Sequence, residues 1–153
     1  MNEARAEVFV SVPPSRAFEL FTGEIDRWWR RGERYGGPDV EGHRLEPQLG
    51  GRFVEVLADG ENELGRITVW EPPHRLAFTW RQGNWLPQEV TEVEVRFVSS
   101  GAGTQVLLRH HGFDSVSSQV GCEVGYQAGW QELLDWYSEA SDAIDQREEE
   151  TCT

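Results

Sequence analysis

The chain has 153 residues, 38% hydrophobic and 11% aromatic, which is enough for one domain with a single core. Its formal net charge of −13 repels phosphates and so argues against nucleic acid and anionic membranes as partners. Two cysteines, Cys122 and Cys152, form neither a disulfide framework nor a metal pair, and no apolar run approaches the ~18 residues that span a bilayer, so a reduced, cytoplasmic setting is expected.

The start of the chain lacks the apolar core of a signal peptide and opens into alternation. Val8, Val10 and Val12 share one face and Phe9 takes the other, which predicts a first strand. Pro13-Pro14 ends it. Ser15 is expected to cap a short helix with Ala17, Phe18, Leu20 and Phe21 on one side, and residues 24–29 suggest a second short helix ending in Trp28-Trp29. Residues 30–39, rich in Arg, Gly and Pro, read as the longest loop.

Six more strands are predicted over residues 43–47, 51–57, 63–71, 75–81, 90–99 and 103–111, with turns at Asp59-Gly60 and Ser100-Gly101-Ala102-Gly103. Val93, Val95 and Phe97 alternate with Glu92, Glu94 and Arg96, so one face of the sheet is dry and the other wet. Leu76, Phe78 and Trp80 behave likewise, as do Val106, Leu108 and His110. A final helix over 118–143 carries Tyr126, Trp130, Leu133 and Tyr137 as an apolar stripe, opposite Glu132, Asp135 and Glu139. Gly121, Gly125 and Gly129 each cost about 1 kcal/mol inside a helix and suggest a late or bent start. A single domain is thus expected over 1–144, with an acidic tail over 145–153.

The words Pro13-Pro14-Ser15-Arg16-Ala17-Phe18, Trp28-Trp29, Gly50-Gly51-Arg52-Phe53, Gly65, Trp70-Glu71-Pro72-Pro73, Thr91 to Phe97, His110-His111-Gly112-Phe113 and Gly129-Trp130 follow in one order. In that order the chain resembles the helix-grip (SRPBCC) superfamily of START lipid-transfer domains, birch-pollen-allergen-like (Bet v 1-like) proteins and polyketide cyclases. More narrowly it resembles the bacterial branch similar to the C-terminal domain of the Hsp90 ATPase activator. The resemblance covers about residues 4 to 140. It implies an α+β fold in which a curved seven-stranded antiparallel sheet wraps a long C-terminal helix, with two short helices after the first strand and a cavity between sheet and helix.

Within such a grip His110 shares the inward phase of Val106 and Leu108, and imidazole titrates near neutrality, so it is a candidate ligand contact or general acid/base, or else a bonded core histidine. Glu55 shares a face with Phe53 and Leu57; one strand phase buries it, where its carboxyl could act as a general acid, and the other phase leaves it solvated. Phe53, Phe78, Trp80, Tyr126 and Trp130 are candidate ligand-lining residues, with Trp85 as lining or core. Arg66 and Arg109 are expected to face solvent, and Cys122 to be inert. His43 and His74 lie apart from the other histidines, no zinc-like spacing appears, and neither metal nor cofactor is expected.

Three functions remain open on these residues. A carrier for a small hydrophobic or aromatic molecule needs only the lined cavity. A cyclase, dehydratase or hydrolase in the same cavity needs His110 or Glu55 to move protons. A protein-interaction module, chaperone-cofactor-like, needs an exposed apolar patch. A homodimer through an edge strand or the 30–39 loop is compatible with each.

Overall fold

The computed structural model describes residues 3–29, 40–81, 88–113 and 123–151, with the side chains of the last helix described over 126–143. In chain order these form β1 (Ala4–Val10), α1 (Pro14–Thr22), a single 3-10 turn (Ile25–Arg27), β2 (Val40–Leu45), β3 (Arg52–Leu57), β4 (Gly60–Glu71), β5 (Arg75–Trp80), β6 (Thr91–Ser100), β7 (Gly103–His111) and α2 (Glu123–Thr151). The strands make one seven-stranded sheet in the order β1-β7-β6-β5-β4-β3-β2, antiparallel at every pairing. The α+β helix-grip arrangement expected from the sequence is therefore the one observed.

The departures are local and have physical reasons. The second short helix is only the 3-10 turn, since Trp28 and Trp29 immediately turn inward to the core, where they are 3% and 1% exposed. Ser15 does not cap α1: Pro13 is the N-cap, no side chain caps the turn, and Pro14 opens the helix, where its missing N–H costs nothing. Strand β2 runs over Val40–Leu45, earlier than expected, because Glu46 leaves the strand to bond Arg52. The backbone of α2 stays helical through Thr151, past the expected end near 143. The 30–39 loop, Trp85, Gly121, Cys122 and Cys152 lie outside the described residues.

Alternation sets which side of the sheet is dry. Phe53, Phe78, Trp80, Val93, Val95, Phe97, Val106, Leu108 and His110 are buried on the concave face. Onto it α2 presents Tyr126, Trp130, Leu133 and Tyr137, and Leu134 and Trp136 widen that stripe by being buried too. Helix α1 fills one end: Phe21 lies edge-on to Phe97 and Tyr137, and the Tyr137 hydroxyl donates to the Ala17 carbonyl at 2.7 Å. Burial pushes that phenol well above its usual range, so it stays a donor.

Helix α2 also covers the free edge of β1. Gln127 Oε1 accepts from the Arg5 N–H at 3.3 Å, Gln131 accepts from the Glu7 N–H at 3.4 Å and donates to the Glu7 carbonyl at 3.0 Å, and Ser138 donates to the Phe9 carbonyl at 3.1 Å. At the other edge the Asp26 carboxylate accepts from the His43 N–H of β2 at 3.0 Å. Side chains thus take up edge groups that would otherwise template pairing with another strand.

Candidate ligand site between the sheet and the last helix

The inner face carries two buried polar clusters, one at each end of a wall of aromatic rings. The first is built on β7 and β6. His110 is fully buried and faces α2, where the Trp130 indole donates to its Nδ1 at 2.9 Å. An indole N–H can only donate, so Nδ1 is the bare nitrogen and Nε2 carries the proton. His110 Nε2 lies 2.6 Å from Thr91 Oγ1 and donates to it, and the Thr91 hydroxyl in turn donates to the Trp80 carbonyl at 3.2 Å. Burial, with a smaller push from neighbouring His111, holds the imidazole down to about 3, so it is neutral at physiological pH. Phe113 covers one side of the ring at 4.5 Å, and Tyr126, whose hydroxyl accepts from the Trp80 indole at 3.2 Å, stands edge-on at 4.8 Å.

The second cluster lies on the β2–β3 hairpin. His43 and Glu55 are direct cross-strand partners, as are Leu45 and Phe53, so both pairs share one face. The hairpin closes through Arg52, which donates to both Glu46 carboxylate oxygens and adds its backbone N–H to one; these bonds hold that carboxyl at about 2. Glu55 is 3% exposed; its Oε1 accepts from Asn62 at 2.8 Å, while Oε2 is 4.0 Å from His43 Nε2, beyond hydrogen-bond reach. The Trp29 ring lies over His43 at 4.8 Å and edge-on to Phe53 at 5.3 Å. Between the clusters Trp130 meets Trp29 at 6.1 Å and Trp80 at 5.4 Å, and Phe53 meets Phe78 at 5.4 Å.

Comparison with known families gives one match, to the family described as Activator of Hsp90 ATPase homolog 1-like protein, over residues 11–137. The chain belongs to this family. Its solved structural neighbours include protein MLL2253 from Mesorhizobium loti, at 19% identity over 92% of this chain and 97% of that one, with a TM-score of 0.70. They also include an AHSA1-like protein from Aeromonas hydrophila, at 24% identity over 94% of each chain, with a TM-score of 0.66. A third, an anthrahydroquino-gamma-pyrone synthase called Txn09, is 30% identical over 92% of this chain and 97% of that one, with a TM-score of 0.63. Among curated proteins nothing matches.

The words that carried the resemblance have structural work in this AHSA1-like chain. Gly50 turns with φ +80°, a conformation that favours glycine, as the chain enters β3. A Cβ on Gly65 would meet the Thr79 carbonyl oxygen at 1.7 Å, at the bulge where β4 passes from β3 to β5. Of the residues expected to line the site, Phe53, Phe78, Trp80, Tyr126, Trp130, His110 and Glu55 all lie inside; Arg66 and Arg109 have side chains 59% and 43% exposed.

The structure adds Trp29, His43 and Thr91, which sequence reasoning did not place in the site. The signal for His43 was its phase with Leu45, readable once its strand is known to pair with β3. Among the described residues no group of three or more His, Cys, Asp or Glu is set to hold a metal ion, and no helix is long and apolar enough to cross a membrane.

Proposed function

We propose that this protein is a carrier that binds a small hydrophobic or aromatic molecule between the concave face of the sheet and α2. The observation that supports this most directly is the convergence of rings from separate elements. Trp29 comes from the corner after α1, Phe53 and Trp80 from the sheet, and Tyr126 and Trp130 from the helix. They stand mostly edge to face, with centroids between 5.3 and 6.4 Å. Walls of this kind offer a flat guest both T-shaped and offset contacts. The membership of the chain in a family on the helix-grip fold points the same way, although fold alone does not fix function.

A second reading, an enzyme acting in the same space, draws on one specific observation: a buried carboxyl, Glu55, set 4.0 Å from a buried imidazole, His43. The neighbour named as a synthase lends it support. Of the two proton-moving candidates, Glu55 suits the role better, because both nitrogens of His110 are already engaged. A protein-interaction role would use the outer face. There Phe9, Val98 and Leu107 are exposed but interleaved with Glu7, Gln105 and Arg96, so charge breaks the patch.

Exposing the purified protein to a cell extract, washing it, and identifying what stays bound by native and denaturing mass spectrometry tests the carrier reading. A retained apolar small molecule, released unchanged, agrees with it. Conversion of that molecule, abolished in Glu55→Gln, selects the enzyme; an empty protein contradicts both.

A further inference from the structure

We infer that the ligand is a hydroxylated aromatic, a phenol or an enol, anchored by a hydrogen bond from its hydroxyl to Glu55 Oε2. This deepens the binding reading above and rests on it. Oε1 of Glu55 has its donor in Asn62, but Oε2 is buried and has no hydrogen-bond partner among the described residues. A buried carboxyl oxygen left unmet is costly, so a donor from outside the protein is favoured there.

The surroundings restrict what that donor belongs to. Phe53 sits two residues away on the same face, with Trp29 edge-on to it and tilted over His43, so aromatic rings surround the group. A guest that contacts these rings and reaches Oε2 must be flat and apolar over most of its surface, with a polar hydrogen at its rim. A hydroxyl fits better than a cation. A neutral hydroxyl brings a donor hydrogen to Oε2 without carrying a second full charge into a buried, ring-lined site, where an ion is costly. The other polar cluster does not compete for this role. His110, Thr91 and Trp130 close their hydrogen bonds among themselves.

The test uses 1-naphthol and 1-methylnaphthalene, which differ in replacing a hydroxyl by a methyl group, and follows quenching of tryptophan fluorescence. Wild type is expected to bind 1-naphthol about tenfold more tightly than 1-methylnaphthalene, and Glu55→Leu to lose that preference to within about threefold while still binding 1-methylnaphthalene. Equal binding of both compounds by wild type, or a preference unchanged in Glu55→Leu, overturns the anchor and leaves the aromatic-binding reading intact. Failure of wild type to bind either compound defeats that reading and the anchor with it.

Should Glu55→Leu not fold, the wild-type protein decides. The Glu55 side-chain carboxyl carbon resonance is expected to move with 1-naphthol and not with 1-methylnaphthalene; no movement, or a crystal structure with 1-naphthol bound and only water on Oε2, rules the anchor out.

Discussion

The indole N–H of Trp130 donates to His110 Nδ1 at 2.9 Å, and this one bond orders the whole inner cluster. It fixes the imidazole tautomer, which makes Nε2 the donor to Thr91 and turns the Thr91 hydroxyl toward the Trp80 carbonyl. Strands β5, β6 and β7 and helix α2 are tied through it. Removing the donor by Trp130→Phe leaves a buried nitrogen unmet and a void beside it, so stability should fall by about 2–4 kcal/mol. Thr91→Val keeps the shape and removes only the hydroxyl, and should cost about 1–2 kcal/mol. Urea unfolding of both variants measures the two losses; equal, negligible losses would show that the cluster does not hold these elements together.

The same burial sets a pH dependence. The folded His110 titrates near 3, against 6.5 for the free group, so the unfolded chain binds a proton there that the folded chain does not. Stability from this residue is therefore fully present above about pH 6.5 and is lost as pH falls toward 3. The slope can reach about 1.4 kcal/mol per pH unit. Between about pH 6.5 and 4.5 carboxylates contribute least, so that window isolates the effect. His110→Gln should start less stable yet show a shallower slope across the window. Denaturant midpoints at closely spaced pH values check this, and parallel slopes would count against it.

Gly65 should tolerate no side chain. A methyl group there would lie 1.7 Å from the Thr79 carbonyl oxygen, a backbone atom in the adjoining strand that cannot move alone. Gly65→Ala should cost about 3 kcal/mol or more, while Gly101→Ala, at a turn with φ +59° and open space around it, should cost about 1 kcal/mol. Thermal unfolding of the two proteins side by side gives the comparison.

Gln131 serves the edge of β1 with both ends of its amide. Gln131→Leu should leave the Glu7 backbone groups without these partners and lower stability by about 1–2 kcal/mol. It should also open the edge to pairing between copies, seen as concentration-dependent mass by light scattering. A mass that stays that of the monomer at every concentration would count against this role for Gln131.

Much of this architecture could be read from the sequence because it is written in local alternation. Val93, Val95 and Phe97 against Glu92, Glu94 and Arg96 give the phase of β6 outright, and His110 could be placed inward by its step from Leu108. Its partners could not, since Thr91 and Trp130 come from elements whose register is set by the closed sheet. The His43–Glu55 pair was hidden for the same reason. It depends on where the hairpin closes, and that is decided by Arg52 gripping Glu46. Residues 24–29 were too few to show a period, so a 3-10 turn feeding two buried tryptophans read as a helix.

An aromatic guest received by this interior would lie against Trp80 and Trp130. The most direct test is a two-dimensional proton–nitrogen NMR titration of the wild-type protein with 1-naphthol, following the indole N–H signals. The Trp80 and Trp130 indole resonances should move saturably, with the outer-face amides of Phe9 and Val98 unmoved. If the indole signals hold still up to about millimolar ligand, or the outer face responds instead, the guest does not enter between the sheet and α2.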